Sequence, residues 1–84
     1  MPDERSPIQH ALVLHWIDPD RHVARFYSLM IERDLFGAIT LIRNWGRIGT
    51  GGRERVEAFD TVDEAGQALE AAARVKRRRG YRDL

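Results

Sequence analysis

Cationic and aromatic side chains alternate in the segment Arg43-Asn44-Trp45-Gly46-Arg47. On a β-strand, the two-residue period places Arg43, Trp45 and Arg47 on one face, so that two guanidinium groups flank one indole. Such a set binds a sugar, a base or a phosphate by stacking and charge-assisted hydrogen bonds. Gly46 points to the other face, where a missing side chain usually marks a bulge, a bend, or a place where another backbone or a ligand comes close. Spacing alone also allows a core Trp45 covered by arginine stems.

Four strands in a meander are predicted upstream of one helix. Alternating apolar residues and turn signals place the strands at residues 11–17, 22–33, 38–47 and 53–59. On the second strand, Tyr27, Leu29 and Ile31 share one face. Turns are expected at residues 18–20, 34–37 and 49–52, where proline, aspartate or glycine occur. The sequence therefore predicts a small antiparallel β-sheet of about four strands.

The helix has signals at both ends. Thr61 precedes Glu64 by three residues, which is the pattern of a capping box, and the helix is expected from Val62 to Arg79. Small and apolar residues recur at helical spacing, so the helix can lie close to a sheet. Gly80 supplies a left-handed C-terminal cap, after which Tyr81 folds back on the sheet or helix in a structural role. The predicted fold class is α+β, with the sheet packed against one C-terminal α-helix.

The composition predicts one small domain. Of 84 residues 43% are apolar, which suffices for a single core, and the absence of cysteine favours a reducing, cytoplasmic setting. The N-terminus lacks the basic and apolar segments of a signal peptide, and the longest apolar run, residues 11–14, is too short to cross a membrane. We expect a flexible N-terminal arm at residues 1–10 and a single domain at 11–84.

Charge is sorted along the chain although the net charge is only +1. Residues 43–55 carry four basic groups and one acidic group, residues 56–73 carry five acidic groups and no basic ones, and residues 74–84 carry six basic groups and one acidic group. Some of the basic residues at 74–84 complement the helix dipole, but the dipole alone does not require so many of them. The pattern predicts a positive face suited to phosphates.

The order of several short motifs resembles the WGR domain family. The resemblance covers residues 25–81 and rests on Arg25-Phe26-Tyr27, Trp45-Gly46-Arg47-Ile48-Gly49, Gly51-Gly52, Phe59-Asp60, Glu64-Ala65, Lys76 and Gly80-Tyr81. Domains of this family occur in DNA-dependent poly(ADP-ribose) polymerases, beside bacterial regulatory or ligase-like modules, and as short free-standing bacterial proteins, which this chain resembles. In the polymerases the domain binds DNA next to a strand break. The resemblance implies that Trp45 contacts a terminal sugar and that Arg47 engages DNA or neighbouring domains.

Several other chemistries find no support in the sequence. The glycines at residues 46–52 lack the Gly-Lys-Ser/Thr ending and following helix of a Walker phosphate loop. His10, His15 and His22 are not spaced as metal ligands, and no cysteine joins them. No serine or threonine has a recognisable nucleophile context. We therefore expect a non-enzymatic protein without metal or cofactor.

The hypothesis favoured by these observations is a DNA-binding module. DNA ends or nicks are the expected partners, held independently of base sequence by an aromatic platform and phosphate contacts. The predicted binding residues are Trp45, Arg47, Arg43, Arg53, Arg55, Lys76, Arg77 and Arg78, with Gly46, Gly49, Gly80 and Tyr81 as structural motif residues.

Two alternatives use the same surface. One is a protein-interaction or dimerisation module, because tryptophan and arginine are frequent interface anchors. The other is a site for a small nucleotide or an ADP-ribose-like ligand at Trp45. Trp16, whose neighbours at spacing two are Leu12 and Leu14, is expected in the core instead. Preferred DNA structure, competition by RNA, cellular pathway, protein partners and oligomeric state stay open.

Overall fold

The computed structural model describes residues 10–84, which form one antiparallel sheet and one α-helix. The strands are β1 (Ala11–Asp18), β2 (Val23–Arg33), β3 (Ile39–Arg47), β4 (Arg53–Phe59) and β5 (Arg82–Asp83), and the helix is α1 (Val62–Arg79). A short 3₁₀ turn at Pro19–Arg21 links β1 to β2. The strands lie in the order β4-β3-β2-β1-β5.

The predicted α+β fold is confirmed, and the sheet gains a fifth strand. Four strands form the expected meander, while β5 pairs with β1 through Leu14–Asp83 and His15–Arg82. A two-residue strand has no periodicity that a sequence pattern could reveal. Of the predicted N-terminal arm, residues 1–9 lie outside the described residues. The His10 carbonyl accepts a hydrogen bond from the Ile31 amide at 2.9 Å.

One face of the sheet is covered by the helix. The fully buried side chains of this face are Leu14, Leu29 and Leu41, one from each of three adjacent strands. The helix packs on them with Leu69 and with small alanines such as Ala65, which let a helix approach a sheet closely. The predicted face of Tyr27, Leu29 and Ile31 is buried in this layer. In the part of the chain that the structure describes, no helix has the length and apolar character needed to cross a membrane.

Both helix ends follow the predicted signals. The Thr61 hydroxyl oxygen accepts from the Glu64 amide at 3.1 Å, while the Glu64 carboxylate accepts from the Asp60 amide at 3.3 Å. The capping box is thus confirmed, with its return bond one residue before the usual position. At the other end, Gly80 has φ = 118° and its amide donates to the Arg77 carbonyl at 3.1 Å. This left-handed cap directs Tyr81 onto the sheet, where it is buried.

The motif strand and the following loop are in close contact at two glycines. A Cβ on Gly46 would stand 2.8 Å from the Cα of Gly52, and a Cβ on Gly52 would collide with the Trp45 carbonyl. Gly52 also has φ = +71°, a conformation that favours glycine. The loop, which contains Gly49 at φ = 98°, therefore folds back over β3. Of the alternatives expected at Gly46, the close approach of another backbone is the one that occurs.

Candidate nucleic-acid interface

The strand register places the motif side chains on the helix-covered face of the sheet. Arg43 is opposite Leu29, Trp45 is opposite Tyr27, and Arg47 is the last residue of β3. Directly opposed residues of antiparallel strands share a face, so the predicted alignment of Arg43, Trp45 and Arg47 is confirmed.

An open cavity of about 290 Å³ lies beside Arg43 and Trp45. Its walls are formed by two aromatic rings and three cationic side chains, namely Tyr27, Trp45, Arg43, Arg55 and Lys76. We call this cavity with its five lining residues the Trp45 platform. Strands β2, β3 and β4 and the helix each contribute at least one of the residues. The platform therefore exists only when the whole domain is folded.

Arg43 connects the platform to β4. Its Nη2 donates to Glu57 Oε1 at 2.8 Å, and both side chains are partly buried. Arg55 is directly opposite Arg43, which places two guanidinium groups side by side with one carboxylate beside them. Among residues 10–84, the Nε of Arg43 is the buried side-chain nitrogen or oxygen atom without a hydrogen-bond partner. A buried donor without a partner costs free energy, which the neighbouring Arg43–Glu57 ion pair offsets.

Lys76 lies over the aromatic rings at the end of the helix. Its Nζ is 4.7 Å from the ring centroid of Tyr27 and 5.6 Å from that of Tyr81, which are cation–π distances. Burial lowers the pKa of Lys76 below its usual value, and the positive charges of Arg79 and Arg43 lower it further. The ammonium is therefore in an environment that an anion would make more favourable.

A row of four aromatic rings supports the platform. Ring centroids are 6.2 Å apart between Trp45 and Tyr27, 6.3 Å between Tyr27 and Tyr81, and 5.6 Å between Tyr81 and Trp16. These spacings lie within the range of favourable aromatic pairs. Trp16 packs against the core from the far end of the row, in agreement with the core position expected for it, although it is only half-buried. The row holds Trp45 in one orientation at the cavity wall.

Other predicted binding residues lie around the platform or away from it. Arg53 is opposite Trp45 and exposed, and so extends the same face along β4. Arg77 instead donates from Nε and Nη2 to both carboxylate oxygens of Asp83, each at 2.8 Å. Arg78 is exposed and lies two residues from Lys76, about 200° around the helix, so it points away from the sheet.

Two residues of this region were missed as site residues in the sequence. Tyr27 forms a wall of the platform, and Arg25 is opposite Arg47 on the same face. The sequence did contain a signal for them: Arg25 and Tyr27 are two residues apart on β2, so their side chains lie on the same face of the strand. The predicted meander placed this strand beside the motif strand, but alternation does not give the register that brings Tyr27 opposite Trp45. Among the described residues, no group of three or more His, Cys, Asp or Glu side chains is arranged to hold a metal ion.

Comparison with known proteins defines the family. The WGR domain model matches residues 10–84, and this chain belongs to the WGR domain family, which is often linked to nucleic-acid binding and is typically non-catalytic. An uncharacterized protein of Sinorhizobium fredii, y4dW, is 44% identical over 73 residues, which are 87% of this chain and 36% of that protein. The chain thus spans about a third of this curated relative.

The fold is shared with a solved structure. A crystal structure of a protein from Bacteroides fragilis superposes with a TM-score of 0.74 at 24% sequence identity. The match covers 89% of this chain and 19% of the other. At this level of identity the similarity concerns the fold alone.

Proposed function

We propose that this domain binds DNA at ends or nicks, with Trp45 against an exposed sugar or base and the neighbouring cations on phosphates. The observation that carries the proposal is the Trp45 platform itself, in which one cavity joins an indole to three cationic side chains. Contacts of this kind attach a protein to the DNA backbone without reading base sequence.

The charge balance of the platform favours an anionic ligand. Arg43, Arg55 and Lys76 converge on the cavity, and Glu57 is bonded to the first of them. In residues 10–84, neither Arg55 nor Lys76 forms an ion pair with a carboxylate. Burial is the main cause of the lowered pKa of Lys76, and the positive charges of Arg79 and Arg43 lower it further. A phosphate would pair with these groups.

The position of Trp45 favours a broken duplex over an intact one. Its ring packs near Tyr27 at one side and is half-buried, so it forms a cavity wall and not a protruding wedge. A wall accepts a sugar or base that is already exposed, which a strand end or a nick provides without the work of unstacking a duplex. Arg47 and Arg53 flank the wall and are exposed to adjacent phosphates.

The test is fluorescence anisotropy with two labelled duplexes of equal length, one nicked and one closed by hairpins at both ends. We expect tighter binding to the nicked duplex, loss of that preference in Trp45→Ala, and steep weakening as salt rises. Arg55→Gln should weaken binding, whereas Arg33→Gln makes the same charge change on an exposed residue away from the platform and serves as the control. Equal binding of both duplexes by the parent protein would contradict the proposal for ends and nicks.

The same experiment separates the two alternatives. A protein-interaction module anchored by Trp45 would bind neither duplex, and its association with a partner chain would depend only weakly on salt. A small nucleotide or ADP-ribose-like ligand would change Trp45 fluorescence in the absence of DNA. Trp45→Phe keeps an aromatic wall while removing that emission, so it shows which tryptophan reports the ligand.

A further inference from the structure

The face of the sheet opposite the helix carries exposed apolar side chains, with polar ones such as Ser28 and Asn44 among them. Five large apolar side chains on it are exposed by 39–61%: Val13, Ile17, Met30, Ile48 and Val56. Met30, Ile42 and Val56 form one cross-strand row over β2, β3 and β4. Loop 49–52 bounds this area at one end, where Gly52 contacts Phe26. We call this area the apolar face. Contiguous exposed apolar area on a small domain marks an interaction surface.

Two opposite charges flank the apolar face on its outermost strands. Arg82 on β5 is opposite His15, and Glu54 on β4 is opposite Asn44, so both charged side chains share the face with Val13 and Val56. Both are exposed. With the strand order β4-β3-β2-β1-β5, β2 is the central strand and the two charges lie on opposite sides of it. The face is thus positive at one edge and negative at the other.

We propose that the apolar face is covered by a second copy of this chain, related by a twofold axis parallel to β2. Such a rotation lays β5 of one copy over β4 of the other and β1 over β3. Each Arg82, which is level with Phe26, then lies two residues along the strand direction (about 7 Å) from the partner's Glu54, which is level with Ser28, and this approach is made twice. Met30 meets its own symmetry mate near the axis, while Ile42 faces the partner's Ala11. Two sheets packed face to face in this way enclose an apolar layer about 10 Å thick.

The face is small for a dimer interface. Five strands about 4.8 Å apart and about 23 Å long span an area of roughly 440 Å² per copy. A standard stable interface buries about 800 Å² per partner, so we expect a weak dimer that forms only at high protein concentration. Both helices stay outside, and an axis parallel to the strands puts the two Trp45 platforms at the same end on opposite sides. If each platform binds DNA as proposed above, the dimer holds two DNA ends.

The first test is the mass of the full chain without DNA, measured by sedimentation equilibrium from 10 μM to 1 mM. The mass should rise from 9.7 kDa toward twice that value. Val56→Asp should leave a monomer at every concentration, with an unchanged circular dichroism spectrum because Val56 is 55% exposed. Leu35→Asp is the matched control, since Leu35 is 97% exposed in the β2–β3 turn, away from the apolar face. A monomer at 1 mM, or a dimer lost in the Leu35 variant but kept in the Val56 variant, overturns the proposal.

The second test addresses the axis. Arg82→Glu and Glu54→Arg should each raise the dissociation constant about tenfold, and the double variant should restore it. The proposed axis also brings the two Glu32 side chains near each other at the end of β2, so Glu32→Gln should tighten the dimer. Failure of the double variant to restore association overturns this arrangement. Because DNA is absent from both tests, their failure is distinguishable from failure of the proposed function.

Discussion

The ammonium nitrogen of Lys76 lies 4.7 Å from the centre of the Tyr27 ring, at the point where the end of the helix crosses the central strand. Through this contact the helix contributes a cation to a surface otherwise built from strands. Lys76 is also the single lysine of the chain, which makes it a specific probe of the platform.

The pKa of Lys76 should be below its usual 10.5 in the free protein and should rise when an anion binds. Burial and the charges of Arg79 and Arg43 disfavour the ammonium form, so an anion that offsets them favours protonation. Reductive ¹³C-methylation labels Lys76 and the N-terminal amine, whose lower pKa keeps the two NMR signals apart. Titration with and without a nicked duplex measures the shift. An unchanged pKa in the complex would place the phosphate elsewhere.

Changing Glu57 or Arg43 should move DNA affinity in opposite directions. Glu57→Gln removes the carboxylate that pairs with Arg43 and should tighten binding to a nicked duplex several-fold. Arg43→Gln should weaken binding and reduce the slope of log affinity against log salt by about one, as expected for one lost phosphate contact. Anisotropy titrations at several salt concentrations measure both quantities. Equal effects of the two variants would mean that the ion pair serves only to hold β3 and β4 together.

Replacing either of two glycines by alanine should change the stability of the protein, in opposite directions at the two positions. Gly52→Ala places a Cβ against the Trp45 carbonyl at φ = +71° and should lower the free energy of unfolding by about 2 kcal/mol or more. Gly66→Ala adds a Cβ in open space within the helix and should raise it by about 1 kcal/mol. Urea unfolding followed by circular dichroism measures both. A neutral Gly52 variant would show that loop 49–52 does not need to lie on β3.

Loss of the helix N-cap should have a moderate effect. Thr61→Ala removes the hydroxyl that accepts from the Glu64 amide and should lower the free energy of unfolding by about 1 kcal/mol. Thr61→Ser retains the acceptor and is the matched control. Thermal unfolding of the two variants is the measurement. Equal losses of stability would mean that the threonine methyl group, and not the cap, is responsible.

The Arg77–Asp83 pair should respond to acid. Its bidentate hydrogen bonds hold the pKa of Asp83 below the usual 3.8, so the stabilising contribution of the pair is present above that pH. It is lost as the pH falls through the lower pKa of the folded protein. Carboxyl ¹³C shifts of Asp83 against pH measure this value, which Arg77→Gln should return toward 3.8. An unshifted value in the parent protein would show that Arg77 is free in solution and available to phosphate.

The strand and helix signals determined much of the fold because they act over a few residues. Thr61 and Glu64 marked one end of the helix, Gly80 marked the other, and the two-residue period aligned Arg43 with Trp45. Each of these features depends on backbone geometry within one element. The sequence pattern therefore predicted the four long strands, the helix and the face of the motif, and it named close backbone approach as one explanation for Gly46.

Tertiary structure decided which cations reach the platform. Arg77 and Lys76 are neighbours in a run of basic residues, yet one is held by Asp83 and the other lies over Tyr27. Helix rotation and the path of β5 separate them, and neither is encoded by local periodicity. Alternation also placed apolar side chains on both faces of the strands. The helix covers one of these faces, and the face that carries Val56 is exposed to solvent. Both outcomes depend on packing between distant segments of the chain, which no short-range sequence pattern specifies.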